Sequence, residues 1–348
     1  MNSPSIQVLD STWQQSLHQL SEHMQINHNA QAFVMRRQPD FFSLMQYQGR
    51  HGVVLGAVRG ASLLGAMTVN FDRVFYDGTP RWCAYTADLR VSPAARGQGL
   101  GDRLMQAAID LAFEKHPHCV ILTSVTCDNA AGLRKNEKLF PRVHMQKMTQ
   151  IQTLFYPCFK LPSALSMPVP ETLKVHVTSQ LSEPLQHEVN ALWQRRSCRT
   201  QAGRIYENLF KARHAPPVQY HVYLRADHQL VGYLGLWDQS QHRQITLPNQ
   251  PALLKNWLYG KQSRSLAMLC GTHLCVEPAF RRYLPLLVQA SLTKGRHMGQ
   301  RILGLALDTA DPLHCFLPTW PHQQNKLWLL SSEATTHAYP FRPELALG

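Results

Sequence analysis

The chain lacks several features that would each assign it to a class of protein. Its eight cysteines include no C-x-x-C pair, and no apolar run reaches the ~18 residues that span a bilayer. The first ten residues show neither the basic segment nor the apolar core of a secretory signal. These absences predict a cytoplasmic protein with reduced cysteines and no membrane partner.

Runs of basic residues are also missing, although the formal net charge is +13 over 348 residues. A nucleic-acid surface usually shows clustered Lys and Arg interleaved with aromatic residues. We therefore predict no nucleic-acid partner and interpret the positive charge as a field that favours small anionic ligands.

One short cluster, Cys270-x-x-His273-x-Cys275, contains metal-ligating residue types. It lies in a strand pattern, where Cys270 and Cys275 have opposite parity and face opposite sides of the strand. Buried strand cysteines explain this pattern better than a zinc site does, so we predict no metal.

The most informative segment that is present runs from Val91 to Gly101 and reads Val-Ser-Pro-Ala-Ala-Arg-Gly-Gln-Gly-Leu-Gly. A strand pattern precedes it, and an amphipathic helix pattern over Leu100–Lys115 follows. Closely spaced glycines allow backbone N–H groups to approach a ligand. The helix start adds unpaired amides and the positive end of its dipole, and Arg96 adds a full charge. The segment therefore predicts a pyrophosphate-binding loop.

Two common phosphate loops do not fit these residues. A P-loop places Lys after its last glycine, whereas Asp102 follows Gly101 here. A dinucleotide fingerprint places its third glycine three residues after the second, whereas Gly99 and Gly101 are two residues apart.

The pattern Arg96-Gly-x-Gly-x-Gly, preceded by Val91-x-Pro93, resembles the coenzyme A loop of the GNAT superfamily, the GCN5-related N-acetyltransferases. This resemblance implies an N-acyltransferase that uses acetyl-CoA as co-substrate and passes the acetyl group directly to the primary amine of a small molecule. It also implies a set of residues that contact the co-substrate: Leu89, Arg90, Val91, Arg96, Gly97, Gln98, Gly99, Leu100, Gly101 and Asn129.

The resemblance further implies the GNAT fold, an α/β (α+β) class with a mixed central sheet flanked by helices. The predicted element order in the first half agrees with it, including a second helix over about 31–46 that carries Arg36 and Arg37. We predict the remaining first-half strands at 5–9, 53–58, 63–71, 82–91, 119–126 and 143–154. We predict further helices at 100–115 and 129–139, and one that begins after Ser11 or Thr12.

The second half repeats this order loosely, with a helix predicted at Ile205–Arg213. Its junction Val276-Glu-Pro-Ala-Phe-Arg-Arg-Tyr283 has no glycine. We therefore predict two tandem units: a catalytic domain at 1–156, a proline-rich linker at 157–170, and a degenerate GNAT-like domain at 171–348. This organisation resembles bacterial tandem-GNAT proteins and is compatible with a monomer, as an intramolecular pseudo-dimer, or with a homodimer.

Asp88 is the carboxylate nearest the loop and is predicted as the general base; a purely positioning role at the sheet edge is the alternative. Asn136 stands where many GNAT members have the Tyr that protonates the leaving thiolate. An amide cannot act as that acid, and Tyr85 is a candidate substitute. Residues 124–127 are predicted to line the gap where substrate and thioester meet, with Asp128 capping the next helix.

Three functions stay open at this point. The leading one is transfer to a small amine, for which Arg36, Arg37 and Arg90 are candidate clamps if the acceptor is anionic. The second is a non-catalytic acyl-CoA sensor or scaffold, which the loss of Tyr at Asn136 favours. The third is a protein or peptide N-acetyltransferase.

Overall fold

The computed structural model describes residues 3–22, 26–28, 31–137, 143–158, 168–197, 202–247, 252–259, 265–318 and 323–334. The elements of the first half are β1 Ser5–Leu9, α1 Gln14–Glu22, β2 Ile26–His28, β3 Gln31–Arg37, β4 His51–Arg59, β5 Ser62–Tyr76, β6 Thr79–Val91, α2 Leu100–Lys115, β7 Val120–Thr126, α3 Ala130–Asn136 and β8 Gln146–Pro157.

The elements of the second half are β9 Leu173–Thr178, α4 Glu183–Ser197, β10 Ala202–Arg204, β11 Tyr220–Ala226, β12 Gln229–Asp238, β13 Arg243–Thr246, α5 Ala252–Tyr259, β14 Met268–Val276, α6 Leu284–His297, β15 Ile302–Asp308 and β16 Gln323–Ser331. None of the helices within the described ranges is long and apolar enough to cross a membrane.

One mixed sheet runs through both halves in the order β1-β4-β5-β6-β7-β16-β8-β15-β14-β12-β11-β9, with β10 paired to β5. Read inward from either end, the pairings follow the same series: three antiparallel, one parallel and one antiparallel. The mixed α/β class predicted from the sequence is confirmed.

The two halves exchange their last strands. β16, from the end of the chain, pairs with β7 of the first half, whereas β8 pairs with β15 of the second half. β16 and β8 then pair with each other at the centre of the sheet. The tandem division at 157–170 remains a prediction; residues 159–167 of that linker lie outside the described ranges.

Local sequence explains the elements around the cradle. Asp77 and Gly78 adopt positive φ values of 51° and 77° and make the tight turn between β5 and β6. The helix α2 buries Leu104, Ala108 and Ala112, which follow at intervals of four residues and lie on one face against the sheet. Burial of a leucine side chain of this kind stabilises the fold by about 1.5–3 kcal/mol.

Two predicted helices are wrong. Residues 31–37 form the strand β3, which pairs with β13 from the second half, Arg37 lying opposite Arg243. Residues 205–213 form bends and turns rather than the predicted helix, and they follow the short strand β10, which pairs with β5. The strand partners of β3 and β10 lie more than 100 residues away along the chain, so no local pattern indicates these two strands.

Candidate active site

The predicted pyrophosphate loop forms a cradle at the end of β6. A short 3₁₀ turn at Pro93–Ala95 leads to Gly97 and Gly99, whose φ values of 79° and 71° lie in the left-handed region that favours glycine. Gly99 is the N-cap of α2 and offers no side chain to its first amides. The hydrogen bonds of the helix begin with the amides of Asp102 and Arg103, which both donate to the Gly99 carbonyl at 3.1 Å, so the preceding amides of Leu100 and Gly101 are available to an anion.

A cavity of about 430 Å³ lies over this cradle. It brings together most of the predicted loop residues, and Val91 lies at its edge. Gln98 is exposed beside the cradle and accepts a hydrogen bond from the Arg59 guanidinium at 3.2 Å. The cavity is lined by Val91, Ala95, Arg96, Gly97, Gly99, Leu100, Gly101, Asp102 and Lys135.

Lys135 is a cradle residue that the sequence did not reveal. It projects from α3, and its Nζ lies 3.2 Å from Asp102 Oδ1 at the start of α2. The ion pair is about one-third exposed, so it stabilises the fold little. Its ammonium group adds a second cation to the cavity beside Arg96. No spacing in the sequence links α3 to the loop, because their contact depends on the packing of two helices.

We expect Lys135→Ala to weaken acyl-CoA binding by about 3–10-fold at low salt, because one of the cations near the phosphates is lost. Calorimetric titration with acetyl-CoA at two salt concentrations measures this, and the difference should shrink at high salt. Lys147→Ala is the control, since Lys147 pairs with Glu137 at 2.9 Å and does not line the cradle. Equal affinities of the two variants would exclude Lys135 from the cradle.

A second cavity, of about 660 Å³, opens where two parallel strands separate. β6 and β7 pair only between Cys83–Thr86 and Val120–Thr123, and beyond these residues they diverge. The cavity, here called the cleft, is lined on the first-half side by Asp88, Leu89, Arg90, Ser124, Val125, Thr126, Asp128, Asn129 and Asn136, among others. Five of the predicted site residues therefore meet in one cavity: Asp88, Leu89, Arg90, Asn129 and Asn136.

A β-bulge at Asp88 and Leu89 changes the direction of β6 beside the cleft. Asp88 has a φ of 54°. Between two successive register pairs, β6 advances by three residues, from Ala87 to Arg90, whereas β5 advances by only two residues. Leu89 thus has no register partner on β5, which leaves its backbone groups outside the regular ladder. A backbone N–H group that is displaced from the regular ladder beside a cavity suits the stabilisation of a developing oxyanion.

His273 occupies the corresponding place in the second half. Its φ is 55°, and the pairing of β14 with β12 is shifted in the same way. The segment Pro278–Tyr283 then continues as a 3₁₀ helix into α6, with Tyr283 buried where the first half has its glycines. A pyrophosphate cradle of the first-half kind is therefore not built from these residues.

Asp88 is held by two arginines. Arg37 donates to its Oδ2, and Arg90 Nη2 lies 3.3 Å from its Oδ1. Arg37 is fully buried and also donates to Gln48 and to the carbonyl of Phe41. Burial by itself raises the pKa of Asp88, but the two guanidinium charges and their hydrogen bonds outweigh it and lower that pKa to about 2.

Arg36, in contrast, lies outside the cleft. Its side chain is about half-exposed and pairs with Glu22 at 3.4 Å. Because neighbouring strand residues face opposite sides, β3 presents Arg36 to solvent and Arg37 to the interior. Of the three candidate clamps, only Arg90 lines the cleft.

Tyr85 lines the cleft at the point where the strands separate. Its hydroxyl lies 2.6 Å from Ser124 Oγ on β7. Burial raises the pKa of Tyr85 to about 12, so the phenol stays protonated and serves as a hydrogen-bond donor throughout the neutral range.

Two asparagines at the ends of α3, Asn129 and Asn136, line the cleft. Asn129 is the N-cap of this helix, its Oδ1 accepting from Gly132 N at 2.9 Å, so the cap is Asn129 rather than Asp128. Its amide NH₂ remains available as a donor. Asn136 is buried and donates from Nδ2 to the Gly132 carbonyl at 2.9 Å, while its Oδ1 is buried without a hydrogen-bond partner. Asn136 therefore offers an acceptor, not an acid.

The opposite wall of the cleft comes from the second half, but the sequence did not indicate which residues form it. Arg243 and Ile245 of β13, Met268 and Cys270 of β14, and Gly304 of β15 all line it. His273 lines a different cavity, so Cys270 and His273 do not share a site. Within the described ranges, no three His, Cys, Asp or Glu side chains are grouped as metal ligands.

Comparisons with known proteins agree with this geometry. Residues 13–134 match the family model "Acetyltransferase (GNAT) family". The fold is similar to Saccharomyces cerevisiae N-myristoyltransferase with bound myristoyl-CoA, with a TM-score of 0.64 and 10% identity over 96% of this chain and 80% of that one. No curated protein matches the chain significantly in sequence.

Two bacterial structures share the fold as well. A GCN5-related N-acetyltransferase from Sphaerobacter thermophilus has a TM-score of 0.54 and 12% identity, covering 84% of both chains. A probable N-acyltransferase from Enterococcus faecalis V583 has a TM-score of 0.52 and 10% identity, over 95% of this chain and 72% of that one. At these identities the likeness concerns the fold.

Proposed function

We propose that the chain is a member of the GNAT family, whose model residues 13–134 match, and that it transfers an acetyl group from acetyl-CoA to the primary amine of a small molecule. One observation carries the proposal: β6 joins the two parts that such a reaction needs. Its end, Val91, borders the phosphate cradle, and its bulge at Asp88–Leu89 borders the cleft.

We assign the co-substrate to the first half. The pyrophosphate would lie on the amides at Gly97–Gly101, with Arg96 and Lys135 supplying positive charge. The pantetheine arm would follow β6 into the cleft, where the NH₂ of Asn129 can donate to it. The thioester carbonyl would meet the backbone at Leu89, which has no partner in the sheet ladder.

Asp88 is a weak candidate for direct proton abstraction. A carboxyl group with a pKa of about 2 lies some eight pKa units below an ordinary alkylammonium, a gap of about 11 kcal/mol. We therefore favour the positioning role for Asp88, in which it orders Arg37 and Arg90. The acceptor amine would lose its proton to water in the cleft before it attacks.

The leaving thiolate has no strong acid beside it. Asn136 offers only an acceptor, and the pKa of Tyr85 at about 12 exceeds that of a thiol by about 3.5 units, or roughly 5 kcal/mol. Tyr85, held by Ser124, would thus donate a hydrogen bond to the sulfur without transferring its proton. Because a thiolate is stable near neutral pH, it can leave in this form and be protonated by water.

A longer acyl donor is a second candidate, favoured by the size and lining of the cleft. Its volume of about 660 Å³ exceeds what an acetyl group needs, and Met35, Met67, Met105 and Met268 line it. Methionine side chains adapt to flexible apolar ligands.

Chromatographic measurement of coenzyme A release tests the proposal. Acetyl-, butyryl-, octanoyl- and myristoyl-CoA would each be combined with amino acids, polyamines, arylamines and short Lys peptides. We expect acetyl-CoA and one class of small amine to exceed the amine-free rate. Turnover only with the longest donor or only with peptides would overturn the proposed donor or acceptor, and tight donor binding without any turnover would indicate the sensor.

A further inference from the structure

A second-half arginine lies in the cleft without an acidic partner. Arg243 begins β13, which its pairing with β3 holds over the cleft. Its nearest polar neighbours are two sulfur atoms, with Nη1 3.8 Å from Met35 Sδ and Nη2 3.6 Å from Cys270 Sγ. Sulfur is a weak hydrogen-bond acceptor and carries no compensating charge in these side chains.

The buried part of this guanidinium is incompletely satisfied. Its Nε is shielded from solvent and has no hydrogen-bond partner, and no carboxylate among the described residues forms an ion pair with it. Arg243 as a whole is half-buried, and a polar atom that is shielded from water without a hydrogen bond costs free energy. A bound anion would supply both the missing acceptor and the missing counter-charge.

Asp88, a carboxylate in the lining of the same cleft, is already engaged. Asp88 uses Oδ2 for Arg37 and Oδ1 for Arg90, so neither carboxylate oxygen is left unbonded. Arg37, Arg90 and Arg243 are close enough to repel one another, since Arg90 and Arg243 both lower the pKa of Arg37. Arg90 and Arg243 line the cleft with Asp88 and Asp128, and because Asp88 also compensates the buried Arg37, the charge of Arg243 has no ion-pair partner among the described residues.

Coenzyme A does not account for this charge in the proposed pose. Its phosphates would occupy the cradle, a separate cavity whose lining does not include Arg243. Arg243 instead belongs to the wall of the cleft that the second half supplies. This wall faces the place that the acceptor would occupy.

We propose that Arg243 binds an anionic group of the acyl acceptor, so that the acceptor is an amine that also carries a carboxylate or a phosphate. The inference rests on the proposed function and deepens it by naming the substrate class. A guanidinium donates two parallel hydrogen bonds to such a group and so fixes its orientation. Arg90 adds positive charge on the opposite wall and strengthens the attraction.

Matched pairs of acceptors test the assignment. Amino acids with the amine on the α, β or γ carbon would be compared with their amides, and phosphoethanolamine with ethanolamine, by coenzyme A release. We expect the wild-type protein to prefer the charged member of one set, which distinguishes carboxylate from phosphate. Arg243→Gln should lower kcat/KM for that acceptor by about 100-fold, mainly through KM, and leave the neutral member within about 3-fold.

Arg36→Gln is the matched control, because it removes one positive charge from the adjoining strand outside the cleft. Arg243→Lys keeps the positive charge but lacks the paired N–H donors of a guanidinium, and it should recover part of the preference for the charged acceptor. Calorimetric titration of the coenzyme A-saturated protein with the same acids measures their affinity for the site without any turnover. Equal affinities for wild type and Arg243→Gln would overturn the assignment.

Different results would overturn the anionic acceptor and the acyltransferase function. Turnover of neutral amines alone, with Arg243→Gln behaving like Arg36→Gln, would overturn the anionic acceptor and leave the acyltransferase function standing. If no acceptor is turned over but the acids still bind through Arg243, the acyltransferase function fails and the anion site is retained.

Discussion

Gly99→Glu should lower the affinity for acetyl-CoA by at least about 100-fold. A Cβ at Gly99 meets no atom within 4 Å, so the new side chain would project into the open cradle rather than clash with the protein. Its carboxylate would stand where the pyrophosphate is proposed to bind. Two like charges about 4 Å apart repel by about 4 kcal/mol at an effective dielectric constant near 20, more than the 2.7 kcal/mol that 100-fold represents.

Two further variants separate the causes of that loss. Gly99→Ala keeps the strain of a side chain at a φ of 71° without the charge, and we expect it to retain most of the affinity. Gly78→Glu adds the same carboxylate at an open glycine with a φ of 77° in the β5–β6 turn. Calorimetry that finds Gly99→Glu binding as tightly as Gly78→Glu would remove the cradle from the proposed site.

Asp88→Asn should lower the free energy of unfolding by about 3–5 kcal/mol, because it leaves the buried guanidinium of Arg37 without its counter-charge. Urea denaturation measures the change. Glu22→Gln is a close control, since it breaks the half-exposed pair with the next residue on the strand, Arg36, and should cost less than about 1 kcal/mol. Similar losses in both variants would contradict the buried ion-pair cluster.

The same carboxylate makes stability depend on pH in a defined direction. The pKa of Asp88 falls to about 2 in the folded protein from 3.8. A group whose pKa is lowered by folding stabilises the protein above its unfolded pKa and loses that contribution as pH falls through the folded one. The wild-type protein should therefore lose roughly 2–3 kcal/mol between about pH 4 and pH 2 that Asp88→Asn does not lose.

Elements built from neighbouring residues were predictable. α2 begins at Leu100 and ends at Lys115 as its periodicity indicates, and β1 spans Ser5–Leu9 as predicted. The glycine loop was equally predictable from the sequence, because the positive φ at Gly97 and Gly99 is a local requirement that few other residues meet.

Elements that depend on distant partners were not predictable. Residues 31–37 read as a helix because their apolar run is ambiguous without β13, and their pairing decides the matter. The exchange of β8 and β16 between the halves leaves no trace in either strand alone. Asp88 was visible as a carboxylate near the loop, but its pKa depends on Arg37, which lies 51 positions away.

The sequence alone determined the glycine loop, most of the first-half strands and the resemblance to an acyltransferase family, because these depend on backbone conformation and periodicity over short stretches. Only the tertiary structure brought Lys135 to the cradle and Arg243 to the cleft. Charge compensation and burial depend on groups that are close in space and far apart along the chain, so the electrostatics of the acceptor side appear only once both halves are folded together.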